Sequence, residues 1–315
     1  MRLAALSLAG CLLLGCADPA PAIDAAVDDA ASDDAAIVRR DAGPDAWIPT
    51  DAGAIRTTPT FPTAAGTCPD LTHPGMVMVS PAGIAARPVQ IWVSDAASAM
   101  DGPLVLVWHG AGGSPSDASY ILGDALQAIV DAGGIVAAPA HDPVNTQLPW
   151  FLDTGSREDD LFVADEIVGC AHASIGFDPS HLHVVGFSAG ALHTSQMSFR
   201  RSSYVASVVT YSGGLINRTA PPRDAPDARF AAMILYGGDS DVVIVSFDTT
   251  SHAYLAAMQS AGDFGFLCNH GMGHTVPAAA RASAWAFLQA HPYGQLPRAY
   301  AGGLPSGFYS YCALP

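Results

Sequence analysis

Gly186-Phe187-Ser188-Ala189-Gly190, running straight on from the apolar stretch Leu182-His183-Val184-Val185, decides how the rest of the chain is read. The spacing predicts a strand driven into a sharp turn, with a serine at the tip and a helix starting at once behind it. Glycines two before and two after the serine suit a turn too tight for a Cβ, and Ser188 itself is expected to hold a strained backbone. That geometry lifts the hydroxyl above the sheet. It also sets the Ala189 N–H, at a helix N-terminus, where negative charge would develop. With 31 glycines in 315 residues the pattern can arise by chance, so it needs support from its surroundings.

The surroundings supply it. Leu104-Val105-Leu106-Val107-Trp108 reads as a buried strand ending in His109-Gly110-Ala111-Gly112-Gly113, a loop placed to offer a second oxyanion donor, the N–H of Ala111. Ala231 to Tyr236 is another apolar strand, followed by Gly237-Gly238-Asp239-Ser240-Asp241. Phe264 to Leu267 leads into Asn269-His270-Gly271-Met272-Gly273-His274-Thr275. Serine, acid and histidine thus follow in order, each just past the C-terminal end of a strand, the edge where open α/β sheets gather their sites.

A serine hydroxyl becomes a nucleophile only when a base takes its proton. His274 is the expected base, since it follows a strand end, sits in a glycine-flanked loop and precedes the last helix; His270 is its nearest rival. The acid that orients the imidazole is Asp241 or Asp239, with Asp241 preferred because Val242-Val243 follows it. Cys268, His270 and His274 could also be read as metal ligands, as could His181 and His183. Gly271 and Gly273 break any helix that would bring an i, i+4 pair onto one face, so neither metal nor cofactor is expected.

Composition excludes several alternatives. All 13 basic residues are arginine, which removes Schiff-base chemistry, pyridoxal-phosphate attachment and a P-loop lysine. A net charge of −16 argues against nucleic acid as a partner. Charged residues make up 13% and hydrophobic ones 50%, enough for a sizeable core.

Residues 1–16 read as an export signal. Arg2 supplies the charge, Leu3 to Leu14 is too short to span a bilayer, and Leu13-Leu14-Gly15-Cys16 closes it. This ending resembles the lipobox of bacterial lipoproteins, and the resemblance implies lipidation at Cys16 and membrane attachment through that anchor. Residues 17–66 are Asp- and Ala-rich and are expected to form a disordered tether to a catalytic body at 67–315. Cys68, Cys170, Cys268 and Cys312 suggest two disulfides in an oxidising compartment, with three pairings open. Cys268 with Cys312 is preferred, Cys68 with Cys170 following by elimination.

Through the body, short apolar strands alternate with loops and helices. An opening antiparallel pair is expected at Met76–Ser80 and Pro88–Val93. Helices are expected at Asp117–Ala132, Glu158–Ala171, from Ala189, at Ser246–Ser260 and at Pro277–His291. The pattern predicts a doubly wound, mostly parallel sheet of eight strands covered on both faces. The short connection after Ser212-Gly213-Gly214 leaves no room for a large lid domain.

These residues resemble the secreted esterase branch of the α/β-hydrolases, which includes polyhydroxybutyrate depolymerases and feruloyl esterases. The likeness rests on Pro103 to Gly110, Glu158-Asp159-Asp160-Leu161-Phe162, Phe177-Asp178-Pro179-Ser180, Gly186 to Gly190 and Gly273-His274-Thr275, and spans roughly residues 70 to 292. It implies the α/β-hydrolase fold and cofactor-free hydrolysis of a small or polymeric carboxylic ester. Two departures stand out: Ala111-Gly112-Gly113 lies where many depolymerases have a cysteine, and no separate substrate-binding domain is expected after the catalytic body, the tail from Tyr293 to Pro315 being left unassigned. A serine peptidase on the same fold, or a surface binding module without activity, are the competing expectations.

Overall fold

The computed structural model describes residues 55–143, 149–150, 152, 158–296 and 298–315. The expected export signal, most of the tether and Cys16 lie outside them. Among these residues nine strands form one sheet: β1 (Gly75–Val79), β2 (Arg87–Trp92), β3 (Leu104–Trp108), β4 (Ile135–Pro139), β5 (Leu182–Phe187), β6 (Ser207–Tyr211), β7 (Ala231–Tyr236), β8 (Phe264–Asn269) and β9 (Cys312–Ala313). Their order is β1-β2-β4-β3-β5-β6-β7-β8-β9. Pairing is parallel from β4 through β8 and antiparallel at both ends.

The helices are α1 (Ala97–Met100), α2 (Ala118–Leu122), α3 (Asp124–Asp131), α4 (Asp159–Ser174), α5 (Ala189–Arg200), α6 (Phe247–Ser260) and α7 (Ala280–Ala290). Alternation along β3 shows how they cover the sheet. Leu104, Leu106 and Trp108 join one core with Ile167 and Val168 of α4, Leu192 of α5 and Met258 of α6. Val105 and Val107 join the other, with Ile121 of α2, Ile129 of α3 and Phe287 of α7. Side chains on a strand alternate faces, so an unbroken apolar strand requires helices above and below. None of the described helices is long and apolar enough to cross a membrane.

The architecture follows the expectation with three corrections. The sheet has nine strands rather than eight, because Cys312–Ala313 pairs with Leu267–Cys268 at the edge of β8 and a Cys268–Cys312 disulfide fastens it there. A single helix at 117–132 is replaced by α2 and α3, which part at Gly123, where φ is +56°. Residues 55–66, drawn as tether, lie on the body. The Arg56 and Thr60 N–H groups reach the Asp227 and Ser203 carbonyls. The Ala65 and Gly66 N–H groups both donate to the Glu166 carboxylate at 2.8 Å, and Phe61 packs edge-on against Phe177.

Cys68 is bonded to Cys170, the remaining pairing. The connection 212–230 contains no helix or strand.

Candidate active site

The turn at the end of β5 takes the form its glycines foretell. Ser188 sits at φ +56°, ψ −123°, half-way between strand and helix, and its own N–H donates to Tyr211 O. A Cβ on Gly190 would stand 2.0 Å from the Trp108 carbonyl oxygen, and one on Gly186 2.4 Å from Gly190 O. Only glycine lets α5 start this close to β3. Ala189 and Gly190 open α5, so their N–H groups are among the first four, which have no acceptor within the helix.

His274 is hydrogen-bonded on both sides. Its Nε2 lies 2.9 Å from Ser188 Oγ and its Nδ1 2.7 Å from Asp241 Oδ1. A carboxylate can only accept, so Nδ1 carries the proton and Nε2 is left to receive the serine's. Asp241 is fully buried, and its Oδ2 accepts from Ser212 Oγ and Gly237 N–H, both at 2.8 Å. Burial alone would raise its pKa; the bonds from His274, Gly237 and Ser212 outweigh that and hold the carboxyl below its ordinary value.

Two aromatic rings pack on the imidazole: Phe247, stacked at 4.8 Å, and Phe187, tilted at 4.9 Å. Tyr120 of α2 braces the loop beyond it, its hydroxyl accepting from Val276 N–H and bonding Thr275 Oγ1.

The rivals are placed elsewhere. His270 is buried and accepts the Met272 N–H on Nδ1; burial lowers its pKa against the pull of the Asp241 charge, and among the described residues it makes no hydrogen bond to Ser188 or Asp241. Asp239 is exposed in a short 3-10 turn. The ligand reading of Cys268 does not fit, since its sulfur is in the bond to Cys312. His181 pairs with Asp178 and His183 with Ser207. Among the described residues one trio of ligand-type atoms converges, Cys68, Glu166 and Cys170, and both sulfurs are in the other disulfide.

Gly110 lies against the serine: a Cβ there would be 3.2 Å from Ser188 Cβ. The loop from His109 to Gly113 therefore stands beside Ser188. Its Gly110 carbonyl accepts from His109 Nδ1 at 2.8 Å and from Gly113 N–H at 3.1 Å. Its His109 carbonyl accepts from Trp150 Nε1 at 2.8 Å. Burial lowers the pKa of His109, which keeps the ring neutral.

Beyond Asp241 the chain makes a tight reversal. Phe247 N–H returns to Asp241 O, Val242 bridges Ser246, and Val243 N–H reaches Val245 O. Its apolar tip points into solvent, with Val243 59% and Ile244 75% exposed. Met272, two residues before His274, is 55% exposed. The acid and histidine loops touch through Gly273 N–H and Gly237 O.

Ser212, Phe247 and Trp150 were not singled out from the sequence. Ser212-Gly213-Gly214 after a strand end was the one local hint; Phe247 and Trp150 reach the site only through the fold.

No family model matches the chain. The protein NocK of Nocardia uniformis subsp. tsuyamanensis, whose name assigns it provisionally to the esterases, is 29% identical over 147 residues, 44% of this chain. The matched stretch spans 40% of that relative's length. Among solved structures, pOPH in a complex with pNPB superposes with a TM-score of 0.64 at 17% identity, covering 79% of this chain and 96% of that one. The structure of sOPH gives 0.60 at 15%, covering 75% and 92%. A thermostable esterase gives 0.51 at 17%, covering 69% and 63%. The fold is that of the α/β-hydrolases.

Proposed function

We propose that this chain hydrolyses carboxylic esters through an acyl-enzyme on Ser188. The observation that carries the reading is the continuous hydrogen-bonded line Ser188–His274–Asp241, with the loop at Gly110 beside the serine. His274 Nε2 takes the hydroxyl proton as Oγ attacks the ester carbonyl. The charge that forms on the carbonyl oxygen is received by the N–H groups of Ala189 and Ala111. Asp241 keeps the imidazole in the Nδ1–H form and stabilises the imidazolium. That imidazolium returns its proton to the leaving alcohol. A water, deprotonated by the same nitrogen, then releases the acid. The likeness to NocK points to the same class of reaction.

The exposed apolar rim at Val243, Ile244 and Met272 favours esters with a substantial apolar part. The plain 212–230 connection favours a bulky or polymeric one, of hydroxyalkanoate or feruloyl type. Chromogenic esters of rising acyl length, with hydroxybutyrate and feruloyl esters and a peptide amide alongside, test this. Turnover of the amide above every ester would move the reading to a peptidase, and no labelling of Ser188 by a fluorophosphonate would sink it.

The same reading has the body exported and held to a membrane by lipid on Cys16. Two disulfides suit an oxidising compartment. Metabolic labelling with a fatty-acid analogue tests the anchor; a wild-type chain that takes up no label while Cys16→Ser behaves identically would remove it.

A further inference from the structure

We propose that Trp150 is a positioning residue for the oxyanion loop, holding the Ala111 N–H toward Ser188 by way of the His109 carbonyl and imidazole. The proposal rests on the ester-hydrolase reading of the site.

The loop needs such a device. Three of the five residues from His109 to Gly113 are glycines, which resist order more than any other residue, and Gly112 sits at φ +74°. Two side chains fix its peptide planes from below. The Trp150 indole N–H donates to His109 O at 2.8 Å, and the His109 Nδ1–H donates to Gly110 O at 2.8 Å. In a trans peptide the C=O and the following N–H point in opposite directions. Tying the His109 carbonyl inward therefore aims the Gly110 N–H outward, and tying the Gly110 carbonyl does the same for Ala111.

Trp150 acts on both planes. Its ring packs on the His109 imidazole at 4.8 Å, which keeps that ring placed to donate, and edge-on against Trp108 at 4.8 Å. Trp150 is 2% exposed and His109 1%, so neither bond competes with water. A carbonyl can only accept, so His109 must carry its proton on Nδ1, and the neutral ring meets that requirement.

Trp108 provides the control. It is as deeply buried and belongs to the same aromatic cluster, yet its Nε1 has no hydrogen-bond partner among the described residues. Trp150→Phe and Trp108→Phe remove similar ring volume from one place, but only the first removes a hydrogen bond to the loop. In the purified protein, Trp150→Phe is expected to lower kcat on a p-nitrophenyl ester about tenfold with KM within about twofold, and to slow fluorophosphonate inactivation by the same factor. Trp108→Phe should leave both rates within about twofold at a similar loss in Tm. Benzothienylalanine at position 150, which keeps the ring and lacks the N–H, should reproduce the kcat loss even if Trp150→Phe folds poorly.

Equal kcat for the two phenylalanine variants, or wild-type kcat with benzothienylalanine, overturns the proposal while the hydrolase reading stands. A wild type that neither turns over esters nor reacts with the fluorophosphonate overturns both.

Discussion

Ser212 grips Asp241 by the carboxylate oxygen that His274 does not use: Ser212 Oγ lies 2.8 Å from Oδ2, while His274 Nδ1 lies 2.7 Å from Oδ1. The serine does this from φ +53°, a left-handed backbone that costs a non-glycine residue about 1 kcal/mol. Gly237 N–H remains on Oδ2 when Ser212 is lost, so the carboxylate stays charged but less firmly aimed. Ser212→Ala should therefore lower kcat about three- to tenfold with KM unchanged, whereas Asp241→Asn, which forces the wrong imidazole tautomer, should cost about 10⁴. Steady-state kinetics on one ester decides it; a Ser212→Ala enzyme equal to wild type would show the second oxygen needs no side-chain donor.

Ser188→Ala and His274→Ala should each reduce kcat by about 10⁴ or more, and the double variant should be little worse, because the groups act as a unit. His270→Ala should keep most of the activity, since the bond that ring makes is to Met272 N–H and not to Ser188 or Asp241. If the two histidine variants behave the other way round, the base has been misassigned.

Gly190→Ala and Gly112→Ala separate steric from conformational need. The first puts a methyl 2.0 Å from Trp108 O and 2.6 Å from His109 O, backbone atoms that cannot step aside. The second meets nothing within 4 Å and bears only the strain of φ +74°. Gly190→Ala should lower Tm by roughly 10 °C or yield no soluble protein; Gly112→Ala, costing about 1 kcal/mol, should shift Tm by only about 2–4 °C. Thermal melts of the two side by side are the check.

Acid stability should depend on His193. Its ring is 1% exposed between Trp108 and Trp150, both nitrogens lack hydrogen-bond partners among the described residues, and burial lowers its pKa to about 3. The folded value lies below the unfolded one, so the unfolded chain binds the proton first as pH falls. The stability is whole above about pH 6.5 and drains away as pH falls toward 3. At pH 5 the loss from this one residue is about 2 kcal/mol. His193→Leu should flatten the pH dependence of Tm between pH 7 and 4. An unchanged slope would mean the proton goes to another buried histidine, such as His291, whose pKa burial lowers to about 4.

What could be read from the sequence was what is local. Gly186, Ser188 and Gly190 announce themselves because a tight turn writes its steric demand into consecutive residues. That His274 and Asp241 stand at one edge of the sheet was legible because strand ends can be read and parallel strands end on the same side. Ser212, Phe247 and Trp150 were not, because their contacts to the site cross between elements. The break at Gly123 was hidden by apolar spacing that runs through it, Leu122, Leu126 and Ile129 facing one core on both sides of the kink. Residues 55–66 were misjudged for a related reason. Much of their fastening to the body uses backbone N–H groups, which every residue but proline has and composition cannot reveal.

The two-residue strand β9 gives the protein a defence against its own kind. A sheet edge with free N–H and C=O groups is a template on which another chain can add a strand. At β8 that edge is taken by Cys312 and Ala313, and the disulfide to Cys268 holds so short a strand where two residues of pairing alone would not. Reduction would thus do more than loosen a tail. It would open Leu267 and Cys268 to partners from solution, and the first sign of a reducing environment should be growth in light scattering at protein concentrations where the oxidised form stays dispersed.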